Sequence, residues 1–261
     1  MAKPIPLLMY HQIAEPPGRG NPYRGLCVAP ERFARQMHVL ARLGWTGLSI
    51  DALLPYLRGE RQGKVFGITF DDAYTNVHTH ALPVLQTLGF KATTYVVAGK
   101  LGGSNDWDHS LGIAASRLMD VAALREWLAA GQEIGSHTYD HLKLDSLSAK
   151  EVRHQLVASR QTLEDRFGRS VSGFCYPYGG WRADLSEAVA RAGYVHATTT
   201  RHGRARVGAD LLALPRVHIT ADTGTWGLLK RVYTGYEDRR GAAKLRREVS
   251  RTQPDGMADR T

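Results

Sequence analysis

An α/β fold, with a parallel sheet covered by helices, is what this sequence predicts, and three observations predict it. Short apolar, β-branched runs alternate with helix-length amphipathic segments about six or seven times along the chain. The joints are short and marked by glycine, as at Gly89, Gly131, Gly168 and Gly193. No composition break or internal repeat divides the chain, so one domain is expected over residues 1–237, with a flexible, basic and polar tail over 238–261. Alternation alone leaves two architectures open, a doubly wound open sheet and a closed barrel.

Each element has its own reason. Residues 5–9 form a short apolar run, the first strand. Over residues 30–43, Phe33, Met37, Leu40 and Leu43 recur at helical spacing behind Pro30-Glu31. Val65-Phe66-Gly67-Ile68-Thr69-Phe70 reads as a strand buried on both faces, and it stops at two aspartates. Helices are expected over 75–88, 119–130, 148–167 and 183–192, and strands over 92–97, 132–136, 171–176, 194–199 and 214–219. Residues 99–105 read as a loop.

Composition narrows the function classes. Apolar residues make up 43% and charged residues 23% of the 261, ordinary for a globular chain and unlike a disordered tail protein or a fibre. Cys27 and Cys175 make no disulfide framework and read as two thiols. No apolar stretch is long enough to cross a membrane. The amino terminus, broken by two prolines and a histidine, contains no secretory apolar region, and a cytoplasmic location is expected. The net charge of +9 is concentrated late: residues 225–261 hold nine Lys and Arg against five Asp and Glu. Lys244-Leu245-Arg246-Arg247 reads as a fraying, solvated helix end, and no nucleic-acid partner is expected. Gly-x-Gly-x-x-Gly and Gly-x-x-x-x-Gly-Lys-Ser/Thr are absent, so nucleotide-binding readings lack their fingerprint.

Two constellations carry chemistry. Asp71 and Asp72 end the most apolar strand, where adjacent carboxylates repel unless a cation or proton relieves them; an Asp there could also simply cap the next helix. His137 and His141, four apart after the 132–136 strand, could face one way in a helical turn and offer two nitrogens to one metal. Alone, that spacing is common on surface helices. His78 and His80, two apart on a predicted helix, diverge and read as solvent-facing. Together, one Asp and two His from different strand ends make a facial two-histidine, one-carboxylate site with open positions, and the other Asp stands ready as a general base.

Thr69-Phe70-Asp71-Asp72, His137-Thr138-x-x-His141 and Phe174-x-x-Pro177-Tyr178-Gly179 resemble, in order and spacing, three motifs of the polysaccharide deacetylases of carbohydrate esterase family four, the NodB-homology domain. Met9-Tyr10-His11-Gln12-Ile13 resembles the branch that includes poly-N-acetylglucosamine deacetylases. The resemblance implies a distorted (β/α)7 barrel. It implies Asp71 as base and Asp72, His137 and His141 as ligands of one divalent ion, Zn suiting the set best and Co or Ni next. It also implies that the Tyr178 backbone N–H, set by Pro177, holds the oxyanion, and that an N-acetylated glycan is the substrate.

Departures from the family pattern define further candidates. Ala73 replaces a usual glycine. Cys175-Tyr176 stand where the family has an arginine that orients the base, and Arg216 could supply that guanidinium from the next strand end. His218 resembles the family's general acid but lacks its usual partner, and His11 is expected to line the pocket. Cys175 reads as a buried thiol. Trp107 and Trp181, on separate loops, favour a sugar substrate if their rings stack on pyranose faces. Two other readings stand beside N-deacetylation: a hydrolase of a formamide, cyclic amide or O-acetyl ester on the same scaffold, and an inactive glycan-binding relic.

Overall fold

The computed structural model describes residues 3–252, with the side chains of 248–252 outside that description. In chain order the elements are β1 (Leu7–Tyr10), α1 (Pro30–Arg42), β2 (Thr46–Leu48), α2 (Ile50–Leu57), β3 (Val65–Phe70), α3 (Leu82–Leu88), β4 (Thr93–Val96), α4 (Val121–Ala129), β5 (Glu133–Ser136), α5 (Ala149–Phe167), β6 (Gly173–Cys175), α6 (Ala183–Arg191), β7 (His196–His202), β8 (Leu214–His218), α7 (Thr225–Tyr233) and α8 (Tyr236–Thr252).

The sheet closes. β1 pairs with β8 on one edge and with β3 on the other, all in parallel, so β1 and β3–β8 form a seven-stranded barrel. Gly67 of β3 pairs with Leu7 of β1 and Leu48 of β2, so β1 and β2 must lie on opposite edges of β3. β2 therefore occupies the amino half of the edge that β4 takes over at Thr69. The barrel is thinnest at β5–β6, where only Ser136 and Phe174 are in register.

Local chemistry sets the helices. Pro30 sits in the first turn of α1, where a missing N–H costs nothing. Ser148 and Glu151 form a reciprocal capping box at the start of α5, and left-handed Gly168 closes it. A single π turn at Val77–Ala81 precedes α3, which ends on left-handed Gly89. The helices pack an aromatic core against the barrel wall, in which Tyr10, Phe33, Phe70 and Trp127 contact edge to face or tilted. No helix of the described residues is long and apolar enough to cross a membrane.

Several sequence expectations change. β2 and α2 were not expected. The basic stretch from residue 225 contains α7 and α8, and the boundary expected at 237/238 falls inside α8; residues 244–247, expected as a solvated helix end, do lie exposed on α8. Glu237, in the first turn of α8, is buried and accepts a 2.7 Å hydrogen bond from His202. Asp238 accepts one from Arg204 Nε at 3.1 Å and another from the Arg204 backbone at 2.8 Å. Residues 253–261 lie outside the described residues. His78 is half-buried with Nε2 3.0 Å from Glu126, whereas His80 is exposed.

Candidate active site at the carboxyl end of the barrel

The chain continues past Phe70 with the Asp71 N–H donating to the Tyr10 carbonyl at 3.0 Å, which extends the β1–β3 ladder by one step. It then turns sharply. Asp72 and Ala73 have φ of 69° and 55°. Ala73 thus adopts, without the usual glycine, the left-handed backbone for which a glycine is favoured. Among the described residues, the non-glycine positions with positive φ are Asp72, Ala73, Thr138, His141 and Tyr178, and all five lie in these turns. Such backbone costs on the order of 1–3 kcal/mol per residue and persists where surrounding contacts fix it.

His137 and His141 do not share a helical turn, contrary to the sequence expectation. They flank a loop in which Thr138 and His141 are left-handed. The loop is held by Gln155 of α5, whose Oε1 accepts from the Tyr139 and Asp140 N–H groups at 3.0 and 2.9 Å and whose Nε2 donates to Asp140 at 2.8 Å. His137 Nδ1 lies 2.7 Å from the Cys175 carbonyl, which fixes the proton on Nδ1 and leaves Nε2 as the lone-pair atom. His141 Nδ1 lies 3.2 Å from the Tyr178 hydroxyl, whose oxygen can accept its proton. Its ring is stacked on Trp107 at 4.4 Å and meets Tyr178 edge-on at 4.8 Å.

These second contacts aim three atoms at one point. Asp72 Oδ1 is 3.5 Å from His137 Nε2 and 3.2 Å from His141 Nε2. All three ligand atoms lie within 4.8 Å of one another, and all three residues are buried. Asp72 Oδ1 is a buried acceptor without a hydrogen-bond partner among the described residues. A buried carboxylate oxygen left bare beside two imidazole lone pairs fits a divalent cation.

Asp71 stands beside this cluster, its carboxylate, a His137 ring nitrogen and Cys175 Sγ all lying within 4.8 Å of one another. Arg216 of β8 grips Asp71 with two bonds, NH1 to Oδ1 at 2.6 Å and NH2 to Oδ2 at 2.8 Å. The remaining Arg216 donors go to the Thr199 carbonyl at 2.8 Å, Thr69 Oγ1 at 3.1 Å and Cys175 Sγ at 3.3 Å. Every N–H of this fully buried guanidinium is therefore satisfied. Burial alone would raise the Asp71 carboxyl, but the Arg216 charge and hydrogen bonds outweigh it and hold Asp71 well below the usual carboxylate range. His11 Nε2 stands 3.7 Å from Asp71 Oδ2 and is 19% exposed, at the wall of the site. Cys175 is a buried free thiol, as is Cys27.

Pro177 opens a short turn that places Tyr178 at φ 56°, half-exposed at the rim. Gly179 follows at φ 73°, where a Cβ would overlap the Thr200 hydroxyl. His218 ends β8, with Nε2 donating to the Thr200 carbonyl at 2.9 Å and its ring stacked on His202 at 3.7 Å. Burial, with the His202 and Arg216 charges, pushes His218 down to about 2, so the ring is neutral. The two tryptophans expected to stack on sugar are engaged on one face each, Trp107 by His141 and Trp181 by the Arg201 guanidinium at 4.9 Å. Gln155, His202 and Glu237 were not anticipated; no local pattern marks them, and only the fold brings them in. Thr69 stood in the first motif, but its contact with Arg216 was not foreseen.

Comparison with known proteins places this geometry. A family model described as polysaccharide deacetylase matches residues 58–197. YxkH of Bacillus subtilis (strain 168), named as a candidate polysaccharide deacetylase, is 28% identical over 218 residues, 83% of this chain and 71% of that protein. Among solved structures, the Streptococcus pyogenes deacetylase PplD in complex with acetate is 25% identical, with a TM-score of 0.77 over 90% of this chain and 100% of that one. IcaB from Ammonifex degensii, 23% identical with a TM-score of 0.71 over 88% of this chain and 97% of its own, shares the fold. The matched segment covers more than half of the chain and contains Asp71, Asp72, His137, His141, Pro177 and Tyr178, and so the chain belongs to the polysaccharide deacetylase family.

Proposed function

We propose that this protein removes acetyl groups from N-acetylated sugars of a polysaccharide or oligosaccharide by metal-dependent hydrolysis of the acetamide. One observation carries the reading: an aspartate locked in its ionised form by a bidentate arginine stands next to a second aspartate whose bare oxygen faces two imidazole nitrogens. Asp72, His137 and His141 would hold the cation, and the mixed nitrogen and oxygen set suits Zn, with Co or Ni as alternatives. When bound, such an ion polarises the amide carbonyl and makes water acidic enough to ionise near neutral pH.

The chain's own residues do the rest. Asp71 takes the proton of the attacking water, and Arg216 keeps its rotamer and charge fixed. The Tyr178 backbone at the rim offers its N–H to the developing oxyanion, with Pro177 setting the turn. His11 lines the wall beside Asp71. His218 is neutral, with its proton on Nε2 tied to Thr200; to act as an acid it must first gain a proton at Nδ1, which the Arg216 charge opposes. Asp71, protonated after the first step, is in this reading the donor to the departing amine.

The test is acetate release from a panel of N-acetylated oligosaccharides, with metal-loaded and metal-stripped protein compared. Loss of acetyl mass only in the loaded sample supports the reading. Fully loaded protein that releases no acetate from any N-acetylated sugar sinks it.

A further inference from the structure

A groove of about 940 Å³ opens beside Tyr178 and runs along the end of β7 to α8. It adjoins the site through Tyr178, which lines the groove and whose hydroxyl lies 3.2 Å from His141 Nδ1. Its walls are rich in cationic side chains, and their pairings separate them into two kinds. Lys143 is matched by Asp145 at 3.4 Å, and Arg204 by Asp238 at 2.6 Å. Arg201 and Arg206 are both exposed and form no ion pair among the described residues; Arg206 is near enough for its charge to help hold Asp238 low, while no carboxylate answers Arg201. The other acid of the groove, Asp210, accepts from the Leu212 N–H at 2.9 Å.

Arg201 is also held in place. Its guanidinium lies 4.9 Å from the centre of the Trp181 ring, and the Trp181 indole is fixed by a 2.7 Å hydrogen bond to Ser186. Stacking occupies the face of a guanidinium and leaves its in-plane N–H fork open, the geometry that grips a carboxylate or phosphate by two bonds. The same stacking covers one face of Trp181, so this wall offers a neutral pyranose less ring surface than it offers an anion charge.

We propose that the groove is a subsite for an anionic group, carboxylate or phosphate, carried by the glycan on a sugar neighbouring the one that loses its acetyl group. The proposal rests on the deacetylase reading above and names the substrate class within it: an acidic N-acetylated glycan. Arg201 and Arg206 are its specificity-determining residues, and Trp181 positions Arg201.

The experiment compares acetate release from three matched substrates: a neutral N-acetylglucosamine oligomer, one alternating with a uronate, and one bearing phosphate. Wild-type protein is expected to show kcat/KM about tenfold or more higher on at least one acidic substrate, carried by KM, and the gain should fall with added salt. The uronate and phosphate arms tell which anion the fork takes. In Arg201→Gln/Arg206→Gln the ratio of acidic to neutral kcat/KM should fall toward one. A wild-type ratio near one overturns the proposal, as does a ratio the double variant leaves unchanged. If wild type deacetylates none of the three, calorimetric binding separates the two readings. Acidic oligomers that bind wild type more tightly than the double variant support the groove while the deacetylase reading falls, and equal binding to both overturns the groove.

Discussion

The two ends of this barrel each gather a histidine–carboxylate cluster, and the clusters differ in what stands behind the ligand atoms. At the carboxyl end are Asp72, His137 and His141; at the amino end are Asp51, Glu133 and His196, whose ligand atoms are also within 4.8 Å of one another. Glu133 opens the same strand that leads to His137, so the clusters are separated by about four strand residues, roughly 13 Å. A ligand count does not distinguish them. The second contacts do.

His137 has its Nδ1 proton on the Cys175 carbonyl, so Nε2 is free to coordinate. His196 is arranged the other way. Its Nε2 donates to Asp51 Oδ1 at 3.0 Å, while its buried Nδ1 has no partner among the described residues. A cation at Nε2 would force the proton onto Nδ1, where nothing accepts it. Ser172 also donates to Asp51, at 2.7 Å, and the Asp51 N–H donates to Glu133 at 2.9 Å. The amino-end cluster is thus a hydrogen-bonded clasp between α2, β5, β6 and β7. Gly173 leaves room for it, since a Cβ there would meet the His196 ring at 2.5 Å. Similar residues make a site or a staple according to where one proton is anchored.

The largest effect that would sharpen this comparison is loss of the carboxyl-end cluster. His137→Ala should remove the bound divalent ion and all measurable turnover while the fold persists. Elemental analysis showing undiminished metal in that variant would break the comparison at once. Asp71→Asn comes next. The amide keeps the shape, cannot accept the water's proton, and should lower kcat by about 10²–10⁴-fold with metal content unchanged. His218→Ala should cost less than Asp71→Asn, because the one proton of the neutral ring is held on the Thr200 carbonyl. The reverse order in single-turnover rates would assign the acid to His218.

Arg216 follows. Asp71 is held low by Arg216 against burial, so removing the guanidinium raises it, and the acidic limb of the kcat/KM profile should move to higher pH in Arg216→Met by about 1–3 units. Arg216→Lys should be nearly as damaging, because an ammonium cannot reproduce the two-bond fork. An acidic limb that stays in place in both folded variants would make Arg216 structural.

How much of this was legible depends on the range of each signal. The Val65–Phe70 strand reads directly, since a strand buried on both faces must be apolar throughout. The capping box of α5 is written in three consecutive steps from Ser148 to Glu151. β2 is three residues with a glycine in the middle, and α2 carries Pro55 inside it, so neither shows a periodicity. Barrel closure lies in the β1–β3 and β1–β8 pairings, which join residues far apart in sequence and leave no local mark. Asp71, Asp72, His137 and His141 were visible because strand ends and spacing group them. The histidine pair was assigned the wrong geometry, since a helical turn gives that spacing easily and the left-handed Thr138 is invisible in sequence. Gln155 and Trp107 act only through contacts the fold creates.

The smallest effect expected is at the amino-end clasp, and it is the one that tests the comparison from the other side. His196→Ala should leave metal content at one ion per chain and leave kcat unchanged, because no ligand or base is touched. Its cost should be in stability, about 1–3 kcal/mol for a buried hydrogen-bonding group removed from its partners. The sign of its pH dependence follows from Glu133. Burial raises the Glu133 carboxyl above its unfolded value, while the His196 Nε2–H, 3.7 Å from Glu133 Oε1, opposes that rise, so without the ring the carboxyl rises further. An acid whose folded value is raised disfavours the fold once the unfolded chain ionises, so stability falls as pH rises from about 4.3 toward the folded value. The deficit of His196→Ala against wild type, read from thermal transitions, should therefore be smaller near pH 4 than near pH 7. Two ions per chain in wild type and one in His196→Ala would show that the clasp is a second metal centre, and that an unpaired Nδ1 does not keep a cation away.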